Sequence, residues 1–241
     1  LEIRILEFRE GAENAKGLTV IIDVFRAFSV ACYASDAGAD RIIAVPEPQN
    51  ALILKDKYKE TVLAGERDEK KIKGFDLGNS PTEIIKTNLT GKTLIMTTTA
   101  GTAGLLKATG ADQVITGSLV NASAVIDYIR SVGPGLVSLV AMGYRGSQSA
   151  EEDLLCAEII SDGLRGIIKD YNAKISSLRH SAGKRFFESS NLEFSPPTDF
   201  FLCTMMDRFD FILKAERRPD ANIDLLRIDL QDFECFAKSL S

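Results

Sequence analysis

Over its first two-thirds the chain alternates short apolar runs with amphipathic stretches. Leu18–Val24 (LTVIIDV) is a β-branched run that ends at an acid, and Arg26–Gly38 follows with helical composition and a terminal glycine. Arg41–Val45 predicts the next strand, and Gln49–Tyr58 the next helix, opened by Pro46 and Pro48. Further strands are expected at Thr61–Ala64, Thr93–Met96, Gln113–Thr116 and Leu136–Ala141, with helices at Ala103–Gly110, Ala122–Ser131 and Ala150–Lys169. Repeated strand-then-helix units favour an α/β fold, a largely parallel sheet flanked by helices. The last third is less regular and of α+β character. There Ser176–Phe187 reads as helical, Pro196-Pro197 breaks the chain, Asp199–Met206 is a second short helix, and Phe209–Lys214 and Leu225–Leu230 read as a strand pair. The length suits one domain over residues 1–241, with 171–241 as a candidate smaller lobe.

One long loop, from Gly65 to Ser80, interrupts the pattern; it is charged and dotted with glycine. Loops of that length inside a compact domain are usually functional. It closes on Ser80-Pro81-Thr82-Glu83, a helix start with Ser80 as N-cap and Glu83 completing a capping box.

Composition narrows the chemistry. The 29 basic and 34 acidic residues give a net charge of −5, with no basic run. That balance argues against nucleic acid and against an anionic membrane surface as partners. An anionic ligand must then be held locally, by a metal, a few arginines and backbone N–H groups. No apolar run reaches the length of a membrane span. The opening Leu1-Glu2-Ile3-Arg4 lacks the apolar core of a signal peptide, and also a Met. Cys32, Cys156, Cys203 and Cys235 are far apart without C-x-x-C spacing, which reads as reduced, mostly buried thiols in a cytoplasmic protein. With His180 the single histidine, a His/Cys zinc site is nearly excluded. Any metal is expected to be Mg²⁺ or Mn²⁺, held by oxygen.

In open α/β sheets ligands bind beyond the carboxyl ends of the strands. The polar residues collect at those ends: Asp23 and Arg26, Glu66 and Arg67, Thr97 to Thr99 with Gly101, Gly117 and Ser118, and Gly143 to Gly146. Five loops are thus expected to meet at one edge. Asp23 suits a metal ligand or a phosphoryl-accepting nucleophile, or else a helix N-cap. Arg26 suits a bidentate phosphate clamp, or else a surface ion pair. Thr97–Thr102 resembles a phosphate cradle at a helix start, without the Gly-Lys-Ser/Thr ending of a P-loop. Glu151, Glu152 and Asp153 are metal-binding carboxylates or a plain acidic first turn. Neighbours on a helix lie about 100° apart, so Glu152 and Asp153 are not expected to share one face, and at most one or two of the three are expected to point inward. Asp76 and Asn79 are oxygen donors or turn formers. His180, flanked by serine in a helical stretch, reads as structural or exposed.

The blocks together are familiar. Val20-Ile21-Ile22-Asp23-Val24-Phe25-Arg26-Ala27-Phe28-Ser29 resembles the opening motif of the 2-phosphosulfolactate phosphatase family, usually Asp-Val-Leu-Arg-Ala-Thr-Ser. Gly65-Glu66-Arg67 and Gly74-Phe75-Asp76-Leu77-Gly78-Asn79-Ser80-Pro81 are similar to its second block. Thr97–Thr102 resembles its Thr-Thr-Thr-Asn-Gly-Thr block, and Glu152-Asp153-Leu154-Leu155-Cys156-Ala157 its Glu-Asp-x-x-Cys-Ala helix. The blocks run in order from Leu18 to Glu216. The resemblance implies a Mg²⁺-dependent hydrolase that converts 2-phosphosulfolactate to 3-sulfolactate and phosphate, a step of coenzyme M biosynthesis, or that acts on related 2-hydroxy-acid phosphates. It further implies an α/β topology of the family's own and a homodimer.

Carried over by motif, Asp23, Arg26 and Arg67 are expected to be catalytic. Asn79, Ser80, Thr98, Thr99, Gly101, Thr102 and Ser118 are expected to bind a small anionic phosphate ester. Asp23, Glu66, Asp76, Glu152 and Asp153 are expected to hold the metal. Two positions depart: Ala100 stands where the family usually has Asn, and Phe28 where it usually has Thr. Both lie in motifs expected to contact substrate. Two other readings follow: a catalytically altered member that binds a small anionic metabolite, and a nucleotide-using transferase, which the absence of a P-loop or G-x-G-x-x-G disfavours.

Overall fold

The computed structural model describes residues 1–231. Its strands are β1 (Glu2–Glu7), β2 (Leu18–Ile22), β3 (Arg41–Ala44), β4 (Thr61–Arg67), β5 (Lys70–Lys71), β6 (Thr93–Thr97), β7 (Gln113–Gly117), β8 (Leu136–Ala141), β9 (Phe211–Arg217) and β10 (Ile223–Asp229). Its helices are α1 (Phe8–Asn14), α2 (Ala27–Asp36), α3 (Pro48–Lys55), α4 (Pro81–Ile84), α5 (Gly101–Lys107), α6 (Ala122–Val132), α7 (Glu151–Leu164), α8 (Asn172–Ser177) and α9 (Pro197–Cys203). The apolar runs form strands as expected. α7 stops at Leu164 rather than Lys169, just before Gly166, whose φ of +73° belongs to a helix terminator. The helix expected over Ser176–Phe187 breaks into α8 and two 3₁₀ turns, at Leu178–His180 and Lys184–Phe187. Ser80 caps α4 by accepting the Glu83 N–H, but Glu83 reaches back to the Gly78 N–H instead of closing the box.

The ten strands form one sheet in the order β1-β8-β2-β7-β9-β10-β3-β6-β4-β5. Strands β1, β8, β2 and β7 form one parallel block, and β3, β6 and β4 another. The β9–β10 hairpin lies between them and pairs antiparallel to β7 on one side and β3 on the other. The two C-terminal strands thus occupy the centre of the sheet. Three successive antiparallel pairings make the two blocks run in opposite directions.

In a flat sheet, the carboxyl ends of the two blocks would then lie on opposite edges. Twist accumulated across the hairpin prevents this, and the sheet curls around a shared core. Alternation along the strands shows it: Ile21 of β2, Ile42 and Ala44 of β3, and Leu94 and Met96 of β6 all face one buried cluster that includes nearly all of α2. The other face of the first block packs Leu18, Val20 and Ile22 against α6 and α7, while Ile43, Leu63 and Ile95 of the second pack against α3. Gly104 lets α5, which follows the second block, close onto the first: a Cβ there would lie 2.8 Å from Ile21 Cγ2 and 2.4 Å from Met142 Sδ. Cys32, Cys156 and Cys203 are buried free thiols, as expected, and Cys235 lies outside the described residues. Among the described residues no helix is long and apolar enough to cross a membrane.

Candidate active site

The curl brings strand tips from both blocks together. Asp23 follows β2, Gly143 to Arg145 follow β8, Glu66 sits near the end of β4, and Thr98 to Ala100 follow β6. With the first turn of α7 they enclose a cavity of about 50 Å³. Five loops at one edge were expected from shared strand direction. Four supply the wall, and curvature rather than direction joins them.

Asp23 has two jobs. Its Oδ1 accepts the Ala27 N–H, at the first residue of α2, at 3.0 Å, while Oδ2 faces Gly101. Burial, reinforced by the nearby Glu66 carboxylate, pushes its pKa up to about 6. Glu152 and Asp153 both point inward from the first turn of α7, and Glu151 is exposed. Loops surround that turn on more than one side, so adjacent residues can both be enclosed. Burial raises Glu152 to about 7, against the opposing pull of Arg185, and its Oε2 is buried with no hydrogen-bond partner. Burial and the charges of Glu152 and Asp23 also hold Asp153 well above the usual carboxylate range. Asp153 nonetheless accepts the Val24 N–H through Oδ1 and the Gly143 N–H through Oδ2, each at 2.8 Å, which ties α7 to the tips of β2 and β8. Glu66 is similarly engaged by the Thr99 N–H at 2.7 Å and the Glu69 N–H at 3.0 Å.

A family model for 2-phosphosulpholactate phosphatase matches residues 6–216. The chain belongs to the 2-phosphosulfolactate phosphatase family. Similar proteins carry the name probable 2-phosphosulfolactate phosphatase. One from Caldanaerobacter subterraneus subsp. tengcongensis is 35% identical over 213 residues, 82% of this chain and 87% of its own. One from Bacillus subtilis is 32% identical over 208 residues, 83% and 87% of the two chains. One from Carboxydothermus hydrogenoformans is 40% identical over 162 residues, 67% of each. The protein is accordingly a phosphoric monoester hydrolase.

Not all residues carried over from the family's motifs reach the cavity. Arg26 lines it, but its Nη1 is committed to Asp199 Oδ2 and the Phe194 carbonyl, each at 2.7 Å. It is a buried ion pair, neither a free phosphate clamp nor a surface pair. Arg67 points away, toward Thr97 Oγ1 at 3.0 Å and the Pro46 carbonyl at 3.2 Å, because neighbours on a strand face opposite sides and Glu66 takes the inward one. Asp76 stands outside the cavity, half-exposed, and accepts the Leu63 N–H at 2.8 Å. Ser80 donates to Asp199 Oδ1, and Ser118 shares a 2.7 Å hydrogen bond with Ser29. Thr98 and Thr102 cap each other, so the expected cradle consumes most of its own donors. Asn79 and Thr99 remain: both line the cavity, and Asn79 Oδ1 and Thr99 Oγ1 are buried without partners. Ala100 lines the cavity, whereas Phe28 is buried in the shared core. His180 is exposed and away from the cavity.

Gly101 is needed for its close approach. A Cβ there would lie 2.8 Å from both Ala27 Cβ and Asp23 Oδ2. Gly101→Ala is therefore expected to displace the Asp23 carboxylate and slow phosphate release by about ten- to a hundredfold. Steady-state kinetics on the folded variant check this, and a wild-type rate would show that the position of Asp23 is immaterial.

The residue missed from sequence is Arg185. It lies in a 3₁₀ turn, ion-pairs with Glu69 and donates to the Phe25 carbonyl at 3.1 Å. Its Nε is buried without a partner, and its guanidinium lies within 5.2 to 6.0 Å of the Phe25, Tyr144 and Phe186 ring centres. No spacing links it to Asp23; the only trace was the Gly183-Lys184-Arg185-Phe186 stretch, a cation beside an aromatic residue.

Proposed function

We propose that the protein is a Mg²⁺-dependent phosphatase that releases phosphate from 2-phosphosulfolactate or a closely related 2-hydroxy-acid phosphate. The observation that carries the metal and the anion together is the unpartnered Glu152 Oε2 beside Asp23, with the Arg185 guanidinium at the same cavity. A buried carboxylate oxygen without a donor is costly unless a cation meets it. Among the described residues no three acid, imidazole or thiol groups form a ready-made metal cage. Mg²⁺ suits such a site, since it ordinarily takes one or two carboxylates together with substrate oxygens and water. Asp23 and Glu152 would hold it, while Asp153 and Glu66, already engaged by backbone N–H groups, fix the loops around it.

Mg²⁺ held by Asp23 and Glu152 would supply charge to offset that gathering on the phosphoryl oxygens. Arg185 adds a guanidinium to the same task, and the Thr99 hydroxyl and Asn79 amide supply polar contacts. Phosphoryl transfer needs mainly positioning and charge neutralisation, which this set provides. Asp23 would either attack phosphorus or activate a water. Loss of the family's usual Asn at Ala100 removes an amide from the cavity wall and bears on which ester fits.

The test is a phosphate-release screen over phosphorylated 2-hydroxy acids with Mg²⁺ and with EDTA. Release from 2-phosphosulfolactate that EDTA abolishes is expected. Ligand-induced thermal stabilisation with no release from any ester would mark the chain as a binder instead.

A further inference from the structure

Two arginines at the mouth of the cavity are each matched by an acid from a single turn. Arg145 pairs with Asp68 at 2.9 Å, and Arg185 pairs with Glu69. Asp68 and Glu69 are the two residues between β4 and β5, with φ of 53° and 67°. Such a two-residue turn, left-handed at both positions, is normally built from Asn-Gly. Two acidic side chains there cost backbone energy, so their placement calls for a reason in what they touch.

The cavities supply one. The inner cavity of about 50 Å³ has room for a few waters. A second, of about 560 Å³, adjoins it, and both are lined by Glu69, Tyr144, Glu152 and Arg185. The Glu69–Arg185 pair thus stands on the boundary between the two cavities. Charge points the same way: the inner cavity is lined by six carboxylates and only three guanidiniums, one of them committed to Asp199. The other two are held by the turn carboxylates, so an acid group of an ester reaches either guanidinium only by displacing Asp68 or Glu69. The Arg145–Asp68 pair is the easier to part, since its side chains are 49% and 76% exposed and exposed pairs are worth little.

We propose that Arg145 and Arg185 select esters that carry an acid group besides the phosphate, and that Asp68 and Glu69 occupy those guanidiniums until that group displaces them. The proposal rests on the phosphatase reading for its substrate class, a short-chain phosphate ester bearing a carboxylate or sulfonate. The turn carboxylates are competitors of the substrate, so removing them improves binding, an effect that misfolding does not mimic.

Two measurements test this. In phosphate release, Arg145→Gln is expected to raise KM for 2-phosphosulfolactate by about ten- to a hundredfold. The same variant is expected to change KM for p-nitrophenyl phosphate, which has no second acid, by less than about threefold. In calorimetric titration with 3-sulfolactate, which carries both acids and no phosphate, Asp68→Asn and Glu69→Gln are expected to bind several-fold tighter, and Arg145→Gln weaker. Equal KM changes for both esters would overturn the proposal, as would unchanged or weaker sulfolactate binding in Asp68→Asn and Glu69→Gln. Absence of phosphate release from every ester would sink the phosphatase reading alone, because the titration still reports on the two arginines.

Discussion

Asp23→Asn is expected to lower phosphate release by about a thousandfold or more while making the metal-free protein more stable at pH 8. The two effects share one cause. The Asp23 carboxylate is buried beside Glu66, which lifts its pKa from 3.8 to about 6. A group whose pKa is higher folded than unfolded lends stability that is fully present below the unfolded pKa and lost as pH rises through the folded one. In EDTA the wild type should therefore lose stability between about pH 4 and pH 7, with Glu152, raised to about 7, contributing in the same sense.

Asparagine mimics the neutral acid. It keeps an oxygen for the Ala27 N–H and removes the charge that burial disfavours. At about 1.4 kcal/mol per pKa unit, the metal-free variant gains about 2–3 kcal/mol at pH 8, or about 5–10 °C in melting temperature for a chain of this size. The loss of activity follows because the same charge is what a cation or a phosphorus atom would meet. Melting in EDTA at pH 5 and pH 8, alongside phosphate release with Mg²⁺, checks both. A variant less stable than wild type at pH 8 would contradict the burial argument, and one that keeps wild-type release would remove Asp23 from the chemistry.

Asp199→Ala is expected to cost about 3–5 kcal/mol of folding stability, the range for breaking one partner of a buried ion pair. Asp199 and Arg26 are both essentially enclosed, at 0% and 3% side-chain exposure. Arg26 would be left as an uncompensated buried charge. Asp199 Oδ1 also accepts the Ser80 hydroxyl at 2.7 Å and the Thr82 N–H at 3.0 Å, so two further donors would lose their acceptor. One carboxylate thereby joins α9, the start of α4 and the turn after β2. Urea denaturation measures the loss, and a change under about 1 kcal/mol would place the pair with weakly contributing surface bridges.

The elements of the fold were legible because they are written locally. Leu18–Ile22 and Leu136–Ala141 are short β-branched or apolar runs that cannot form stable isolated helices, and the runs between them carry helical periodicity. Asp23, Glu66 and Glu152 were legible for a related reason, since motifs at strand tips and a helix start mark where side chains leave regular structure. The family, too, could be read from short blocks in order.

The pairing of those elements was not written locally. That β9 and β10 stand at the centre of the sheet, and so oppose the two parallel blocks, depends on which strand edges meet. A single chain records no such pairing in its periodicity. The same holds for side-chain commitments. Arg26 looked like a phosphate clamp until Asp199, 173 residues away, claimed it. Arg185 carried only the faint trace of a cation beside an aromatic residue until the fold set it against Phe25, 160 residues earlier. The residue types that can meet an anion or a cation, and the strand tips that present them, follow from the order of amino acids alone. Which of these are left unpaired in the cavity follows from the folded arrangement, because a hydrogen bond or ion pair formed across the fold satisfies a group just as a ligand would, and its partner is chosen by proximity in space rather than along the chain.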